Sequence, residues 1–263
     1  MIDIHHHLLF DTDDGPADLD GAVAQAEAAA GDGITHIVCT PHANNMWEFN
    51  PTRNRERLAA IRDRIDGRLT LGLGCDFHLS PENIAEALEK PAKFTINQGR
   101  YLLVEFADFA ISENIGDTFY EFALRGIRPI ITHPERNPIL QKRPERIAEW
   151  LRGNCLVQVT AGSLEGRFGK QPQAMAWGLL RRHWVHFIAT DAHNLERRPP
   201  RLRAVCQAVA KRFGEETAHR LCVDNPRAAF DDRPLGEQPE PKGVFPDTRP
   251  APRRGLVSWF FGN

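Results

Sequence analysis

Residues 1–15 read MIDIHHHLLFDTDDG and combine a histidine-rich strand with an acidic turn. Strand alternation predicts two faces, one with Asp3, His5 and His7 and the other with Ile2, Ile4 and His6. The turn can fold a carboxylate back over the imidazoles, and its acids are Asp11, Asp13 and Asp14, just before Gly15. Nitrogen and oxygen donors that converge at a strand end indicate a transition-metal site. The alternatives are a surface histidine run or an expression tag, although a tag is not usually set within an apolar strand.

The length and composition favour one large domain without a polyanionic partner. A chain of 263 residues can form a single domain with a substantial core. The net charge of −2 and the pI near 6.6 argue against nucleic-acid binding. The five cysteines are odd in number and contain no CxxC pair, which predicts reduced thiols. The sequence has no signal segment and no run of 18 apolar residues, so we expect a soluble, cytoplasmic protein.

Seven apolar segments have the length and composition of buried strands, and helical patterns separate them. After the first, they span residues 34–40, 69–75, 100–106, 127–132, 155–160 and 185–190. Ser80 followed by Pro81 is typical of a helix start and predicts a helix over residues 81–89. Strands that alternate with helices indicate an α/β fold with a parallel sheet. At this chain length they favour a closed barrel over an open sheet.

The composition changes at residue 231. Residues 231–263 contain six prolines, balanced charges and no amphipathic period. They therefore predict a flexible, Pro-rich tail after a barrel domain of residues 1–230. The tail ends in GLVSWFFGN at residues 255–263, preceded by Arg253 and Arg254. Two interpretations stay open for this end: it folds back or stays loose, or it makes a weak contact with a membrane surface or a partner.

Histidines or carboxylates end six of the seven predicted strands. In a parallel barrel the carboxyl ends of the strands share one face, and the loops on that face build the active site. After the first strand, the polar ends are CTPH at 39–42, GCD at 74–76, Glu105, HPER at 133–136 and ATDAHN at 189–194. One histidine at a strand end is usually structural. Six polar strand ends on one face indicate a functional site.

These motifs resemble those of the PHP superfamily of metal-dependent phosphoesterases over nearly all of residues 1–235. Within it, the HPER and ATDAHN segments resemble the bacterial capsule-type protein-tyrosine phosphatases of the CpsB or YwqE type. The resemblance implies a distorted (β/α)7 TIM-like barrel of the PHP type, as a single domain, with two to three divalent metal ions, manganese before iron or zinc. The metal ligands that it implies are His5, His7, Asp14, His42, Asp76, Glu105, His133, Asp191 and His193.

The sequence differs from the family pattern at two positions, and two of its arginines match phosphate-binding positions of the family. The family usually has glutamate where this chain has Asp76, and a shorter carboxylate bridges two metals less easily. His6 is an additional imidazole, which strand alternation turns away from the ligands. The resemblance assigns phosphate binding in catalysis to Arg136 and Arg198, whose guanidinium groups match phosphate oxygens. Arg197 precedes Arg198, and the sequence leaves open which of the two turns inward.

Nine nitrogen and oxygen ligands around two or three metals suit phosphoester hydrolysis by a metal-activated water. The resemblance implies a protein-tyrosine phosphatase, which is a phosphoric monoester hydrolase. It also implies a phosphotyrosine protein as partner, a bacterial tyrosine autokinase that controls capsule or exopolysaccharide synthesis. The alternatives are a small-molecule phosphomonoesterase such as histidinol phosphatase, or a non-catalytic metal-binding regulator. The sequence leaves the oligomeric state open.

Cys206 and Arg212 have the C-x5-R spacing of the cysteine-dependent tyrosine phosphatases. The residues between them, QAVAK, contain no glycine and continue a helical pattern. Backbone N–H groups within a helix are bonded internally, so they cannot form a phosphate-binding loop. We therefore expect a mechanism that uses metals rather than a thiolate.

Overall fold

Parallel strands alternate with helices along the computed structural model of the chain, which describes residues 1–245. The strands are β1 (Ile2–His6), β2 (His36–Cys39), β3 (His42–Ala43), β4 (Thr70–Leu73), β5 (Asp76–His78), β6 (Tyr101–Glu105), β7 (Arg128–Thr132), β8 (Leu156–Thr160) and β9 (Phe187–Ala189). The helices are α1 (Leu19–Gly31), α2 (Pro51–Ile65), α3 (Pro81–Glu89), α4 (Ile115–Leu124), α5 (Pro138–Lys142), α6 (Glu145–Arg152), α7 (Ala161–Glu165), α8 (Lys170–Arg181), α9 (Arg203–Phe213), α10 (Glu215–His219) and α11 (Asn225–Phe230). Within residues 1–245, no helix is both long and apolar enough to span a membrane.

The nine strands of the described residues occupy seven positions around a closed barrel. One sheet has the order β1-β2-β4 and the other β3-β5-β6-β7-β8-β9, while β2 leads into β3 and β4 into β5 across short breaks. A parallel bridge between His6 and Ala192 joins the first position to the last. There, Asp191 N donates to His5 O at 2.8 Å and His7 N donates to Ala192 O at 2.9 Å. The predicted α/β fold, a seven-position barrel in one domain, is confirmed.

Two apolar clusters stabilise the barrel. The smaller cluster draws side chains from β1, β2, β6, β7, β8, β9 and α11, so it fills the barrel interior. Phe187 is fully buried in it, and burial of one such ring contributes about 1.5–3 kcal/mol. The larger cluster lies between the outer faces of the strands and the helices. Polar side chains are consequently gathered at the carboxyl ends of the strands.

A β-bulge in β1 changes which of its residues share a face. Between Asp3 and His6, β1 advances three residues while β2 advances two. His6 Nδ1 therefore lies 3.2 Å from Asp3 Oδ2, and its Nε2 lies 3.1 Å from Gln25 Oε1. The prediction that Asp3 shares a face with His5 and His7 is wrong, because the extra residue reverses the alternation between them. His6 does turn away from the other two histidines, toward α1.

Residues 232–245 contact the barrel near the amino ends of its strands. Asp232 Oδ1 accepts a hydrogen bond from Arg100 N at 2.7 Å. The Tyr101 hydroxyl donates to Arg233 O at 2.7 Å, and Trp184 Nε1 donates to the carbonyl of residue 242 at 2.9 Å. The predicted domain boundary at residue 231 stays a prediction. The aromatic end at residues 255–263 lies outside the described part of the chain.

Two of the five cysteines are paired. Cys206 on α9 forms a disulfide with Cys222, which lies in the π-helical turn after α10, and their Cα atoms are 6.6 Å apart. The other three, Cys39, Cys75 and Cys155, are free and buried. The prediction of five reduced thiols is wrong for this pair. The helices fold back on each other and bring together cysteines 16 residues apart, a spacing that no sequence motif marks.

Candidate metal centre

All nine side chains predicted to be metal ligands lie together at the carboxyl end of the barrel. Their nitrogen and oxygen atoms form four overlapping groups, and within each group these atoms lie within 4.8 Å of one another. The groups are His7, Asp14, His42 and His193; His5, His7 and Asp76; His5, His133 and Asp191; and His42, Asp76 and Glu105. The overlap of the groups places several candidate ion positions next to one another.

Buried polar atoms without hydrogen-bond partners mark the centre of this cluster. Both carboxylate oxygens of Asp76, Oδ1 of Asp191 and Nδ1 of His42 are buried and unbonded. Oδ2 of Asp76 lies 3.4 Å from His5 Nε2 and 3.3 Å from His42 Nδ1, yet forms no hydrogen bond to either. Buried carboxylates without partners are costly, and coordination of a cation removes that cost. The donor set therefore fits divalent metal ions.

Asp76 reaches two of the four groups despite being one methylene shorter than glutamate. Its carboxylate is part of the group with His5 and His7 and also of the group with His42 and Glu105. The side chain is fully buried at the start of β5, directly after the break from β4. Its Oδ2 lies 3.4 Å from His5 Nε2 in one group and 3.3 Å from His42 Nδ1 in the other, so the shorter side chain reaches both.

Neighbouring side chains orient the imidazoles, and sequence reasoning missed two of these partners. Asp13 Oδ2 lies 2.7 Å from His7 Nδ1 and accepts a hydrogen bond from the backbone N–H of His42 at 3.0 Å. Gln158 Oε1 lies 3.0 Å from His5 Nδ1. These contacts leave the Nε2 atoms of His5 and His7 directed into the cluster, as outer-shell partners do for ligating histidines. Adjacent aspartates give no sequence signal that separates Asp13 from Asp14, and Gln158 belongs to no motif.

Two candidate ligands have strained backbones. His133 after β7 has φ 34° and Asp191 after β9 has φ 52°, both in the left-handed region. Residues other than glycine adopt this region at a cost, and such strain collects at functional sites. The His133 N–H donates to Gln158 O at 2.9 Å, which ties this strained end to the neighbouring strand. The side chains of both strained residues lie in the donor group with His5.

The electrostatics of the cluster favour added positive charge. Burial opposes protonation of His5, but the Asp76 and Asp191 carboxylates outweigh it and raise the pKa of His5 to about 9. Burial likewise opposes protonation of His42, while Asp76 and Glu105 raise its pKa to about 10. Burial and the charge of Asp76 raise the pKa of Glu105 to about 7. A divalent cation would supply the charge that the carboxylates attract, and its binding would release these protons.

Arg136 and Arg198 both turn into the site, and Arg197 does not. Both inward guanidinium groups donate to Oδ2 of Asp191, and Arg198 Nη1 lies 2.9 Å from His193 Nε2. A tight turn explains the choice, because the side chain of residue 194 accepts the N–H groups of residues 196, 197 and 198. The side chain of Arg197 remains exposed.

The thiolate alternative has no geometry to support it. Cys206 lies within α9 and is in the disulfide with Cys222, and it is in none of the four donor groups. The guanidinium of Arg212 lies over the Trp177 ring, 4.0 Å from its centroid. Neither residue is therefore available to bind a phosphate as a C-x5-R loop would.

Comparison with known proteins assigns the chain to a family. The sequence model described as capsular polysaccharide synthesis, CpsB/CapC, matches residues 1–231. The chain belongs to the CpsB/CapC family. Among CpsB/CapC relatives, tyrosine-protein phosphatase YwqE of Bacillus subtilis (strain 168) is 31% identical, over 99% of this chain and 100% of the relative. Tyrosine-protein phosphatase CpsB of Streptococcus pneumoniae is 31% identical, over 89% of this chain and 99% of the relative.

Solved structures agree with the family assignment. Crystal structures described as YwqE from Bacillus subtilis and CpsB from Streptococcus pneumoniae, unique metal-dependent tyrosine phosphatases, match with a TM-score of 0.86 and 32% identity. The match covers 92% of this chain and 98% of the other. The lactonase Lmo2620 from Listeria monocytogenes matches with a TM-score of 0.57 at 10% identity, over 90% of this chain and 95% of the other, and so shares the fold alone. The predicted family is thus confirmed.

Proposed function

We propose that this CpsB/CapC chain is a metal-dependent protein-tyrosine phosphatase. The observation that carries the proposal is a cluster of nine converging donor side chains with two inward arginines beside it. Relatives that match nearly the whole chain are named tyrosine-protein phosphatases. The reaction is hydrolysis of a phosphoric monoester, for which clustered divalent ions and guanidinium groups are suited.

The nine clustered residues are the proposed metal ligands: His5, His7, Asp14, His42, Asp76, Glu105, His133, Asp191 and His193. Their four overlapping groups support two to three divalent ions. Manganese is proposed first, with iron and zinc as alternatives, because imidazole and carboxylate donors accept all three. When bound, the ions supply Lewis acidity toward the phosphoryl oxygens and lower the pKa of the attacking water.

Arg136 and Arg198 are the proposed catalytic groups of the chain itself. Both guanidinium groups now donate to one oxygen of Asp191 at the edge of the cluster. A phosphoryl group placed there would offer them several charged oxygens, with which guanidinium forms paired hydrogen bonds. These bonds hold the phosphorus in line for attack and stabilise charge on its oxygens. The tyrosine phenol has a pKa near 10, so its phenolate leaves with little help from an acid.

The proposed substrate is a phosphotyrosine protein, and we propose a bacterial tyrosine autokinase that controls capsule or exopolysaccharide synthesis. The support is the family description, which names capsular polysaccharide synthesis. A cytoplasmic location is proposed with it, because an autokinase phosphorylated there would present its phosphotyrosines to this enzyme.

Hydrolysis of a phosphotyrosine peptide by metal-stripped protein with manganese added back tests this function. A phosphoserine peptide of the same sequence and histidinol phosphate are the alternative substrates. We expect manganese-dependent release of phosphate from phosphotyrosine, its loss in His133→Ala and its retention in Cys206→Ser. A clear preference for histidinol phosphate would make the chain a small-molecule phosphatase instead. Absence of turnover with metal bound would favour a regulator.

A further inference from the structure

Trp47 stacks on a proposed metal ligand at the mouth of the barrel. Its ring lies 5.3 Å, centroid to centroid, from that of His42, with only 14° between the two planes. Trp47 is half-buried, so part of its ring faces solvent beside the cluster. Met46, the preceding residue, is exposed. The loop after β3 therefore presents apolar surface next to candidate ion positions, where the nine proposed ligands offer only polar groups.

The backbone holds Trp47 in place. Asn44 N donates to Trp47 O at 2.9 Å, and Asn44 Oδ1 accepts the N–H groups of Met46 at 2.8 Å and Trp47 at 3.1 Å. These bonds close a four-residue turn directly after β3, which ends at Ala43. These bonds fix the backbone of Trp47, and the stack on His42 orients its ring, so the contact is preformed and costs little entropy on binding.

From this geometry we infer that Trp47 is a specificity-determining residue that packs against the aromatic ring of the substrate, an inference that rests on the proposed function. His42 belongs to two of the four donor groups, so a phosphoryl group bound at the cluster lies close to it. In an aryl phosphate one oxygen separates the phosphorus from the ring. The aromatic ring of the substrate must therefore lie just outside the cluster, next to Trp47. An alkyl phosphate of serine has no such ring to stack.

Phe168 shows that a second aromatic ring near the site has a different role. The Arg136 guanidinium lies over the Phe168 ring, 4.5 Å from its centroid, and this contact fixes the arginine. Phe168 follows the sixth barrel position and Trp47 the second, so the two rings are on opposite sides of the mouth. Phe168 therefore packs against an arginine to which the proposed function assigns phosphate binding. Its loss should weaken every phosphoryl ligand equally.

The test compares the binding of two phosphonates to manganese-loaded protein by calorimetry. Benzylphosphonate carries a ring, ethylphosphonate does not, and neither can be hydrolysed, so the result is independent of turnover. We expect Trp47→Ala to lower the ratio of benzyl to ethyl affinity about three- to tenfold, as loss of an aromatic pair does. Trp47→Phe should keep most of the ratio. If the alanine variant does not fold, Trp47→Leu provides the same comparison.

Phe168→Ala is the matched control and should weaken both phosphonates by the same factor. Metal content is measured for each variant, because Trp47 contacts His42. An unchanged ratio of benzyl to ethyl affinity in Trp47→Ala would overturn the inference. If both affinities also fell by the same factor, Trp47 would instead support the metal centre. Failure of the wild-type protein to hydrolyse phosphotyrosine would overturn the proposed function, which is a separate result.

Discussion

Gly15 lets the acidic turn approach the first strand closely. A Cβ at this position would lie 2.6 Å from the carbonyl oxygen of His7, a distance that such atoms do not adopt. The same turn carries Asp13, which contacts His7 Nδ1, and Asp14, whose carboxylate lies 3.2 Å from His193 Nε2. The backbone of one glycine therefore determines whether two carboxylates reach the cluster.

The substitution Gly15→Ala is expected to push this turn outward and to lower manganese affinity about 10- to 100-fold, as loss of outer-shell partners does. The measurement is manganese binding by equilibrium dialysis. Gly116→Ala is the control, since a Cβ at this α4 position meets no atom within 4 Å. The control should bind manganese normally and be slightly more stable, by about 0.5–1 kcal/mol. Equal affinity in both variants would show that the turn is dispensable.

At the scale of elements, the amino end of the β8–β9 seam contains a histidine that is held neutral. His186 Nδ1 accepts the backbone N–H of Val157 at 3.2 Å, and the backbone N–H of His186 donates to Val157 O at 2.9 Å. Burial, followed by the charges of Arg128 and Arg220, lowers the pKa of His186 to about 3. In the unfolded chain this imidazole binds a proton near pH 6.5.

Between pH 6.5 and pH 3 the His186 imidazole is therefore protonated in the unfolded chain and neutral in the folded chain. The free energy of unfolding consequently decreases as the pH falls toward 3. For this one group the free energy of unfolding decreases by about 1.4 kcal/mol per pH unit, or about 2 kcal/mol between pH 6.5 and pH 5. His186→Asn keeps an acceptor and should lose this part of the acid sensitivity in urea unfolding. His219→Asn, at an exposed site, is the control. Identical pH profiles for wild type and His186→Asn would contradict the assignment.

The disulfide between Cys206 and Cys222 links α9 to the turn after α10. It closes a loop of 16 residues, for which chain-entropy arguments give about 3 kcal/mol of stabilisation. Cys222→Ser should lower the melting temperature and leave phosphotyrosine hydrolysis unchanged, and reduction of the wild type should do the same. Loss of activity in this variant at a temperature where it is folded would contradict the separation of disulfide and active site.

At the scale of the whole molecule, barrel closure explains how much the sequence could predict. Parallel strands bring all their carboxyl ends to one face, so the ends of separate segments, such as His133 and Asp191, were expected together and are. Details that depend on one extra or one rotated residue escaped prediction. The bulge that moves Asp3 has no sequence signal, and only the turn at residue 194 separates Arg198 from Arg197.

We propose that these strand ends form one centre for two to three divalent ions. Asp76 is in two of the four donor groups, so its loss should affect more than one ion. Asp20→Asn is a matched control, because Asp20 is exposed and pairs only with Arg64 among the described residues.

The most direct measurement is the number of manganese ions per chain after stripping, reloading and dialysis, for wild type, Asp76→Asn and Asp20→Asn. We expect more than one ion per chain in the wild type and in Asp20→Asn, and at least one fewer in Asp76→Asn, with phosphotyrosine hydrolysis lost in parallel. A wild type that retains one ion or none, or an Asp76→Asn variant that retains the full wild-type complement, would show that the strand ends do not form such a centre.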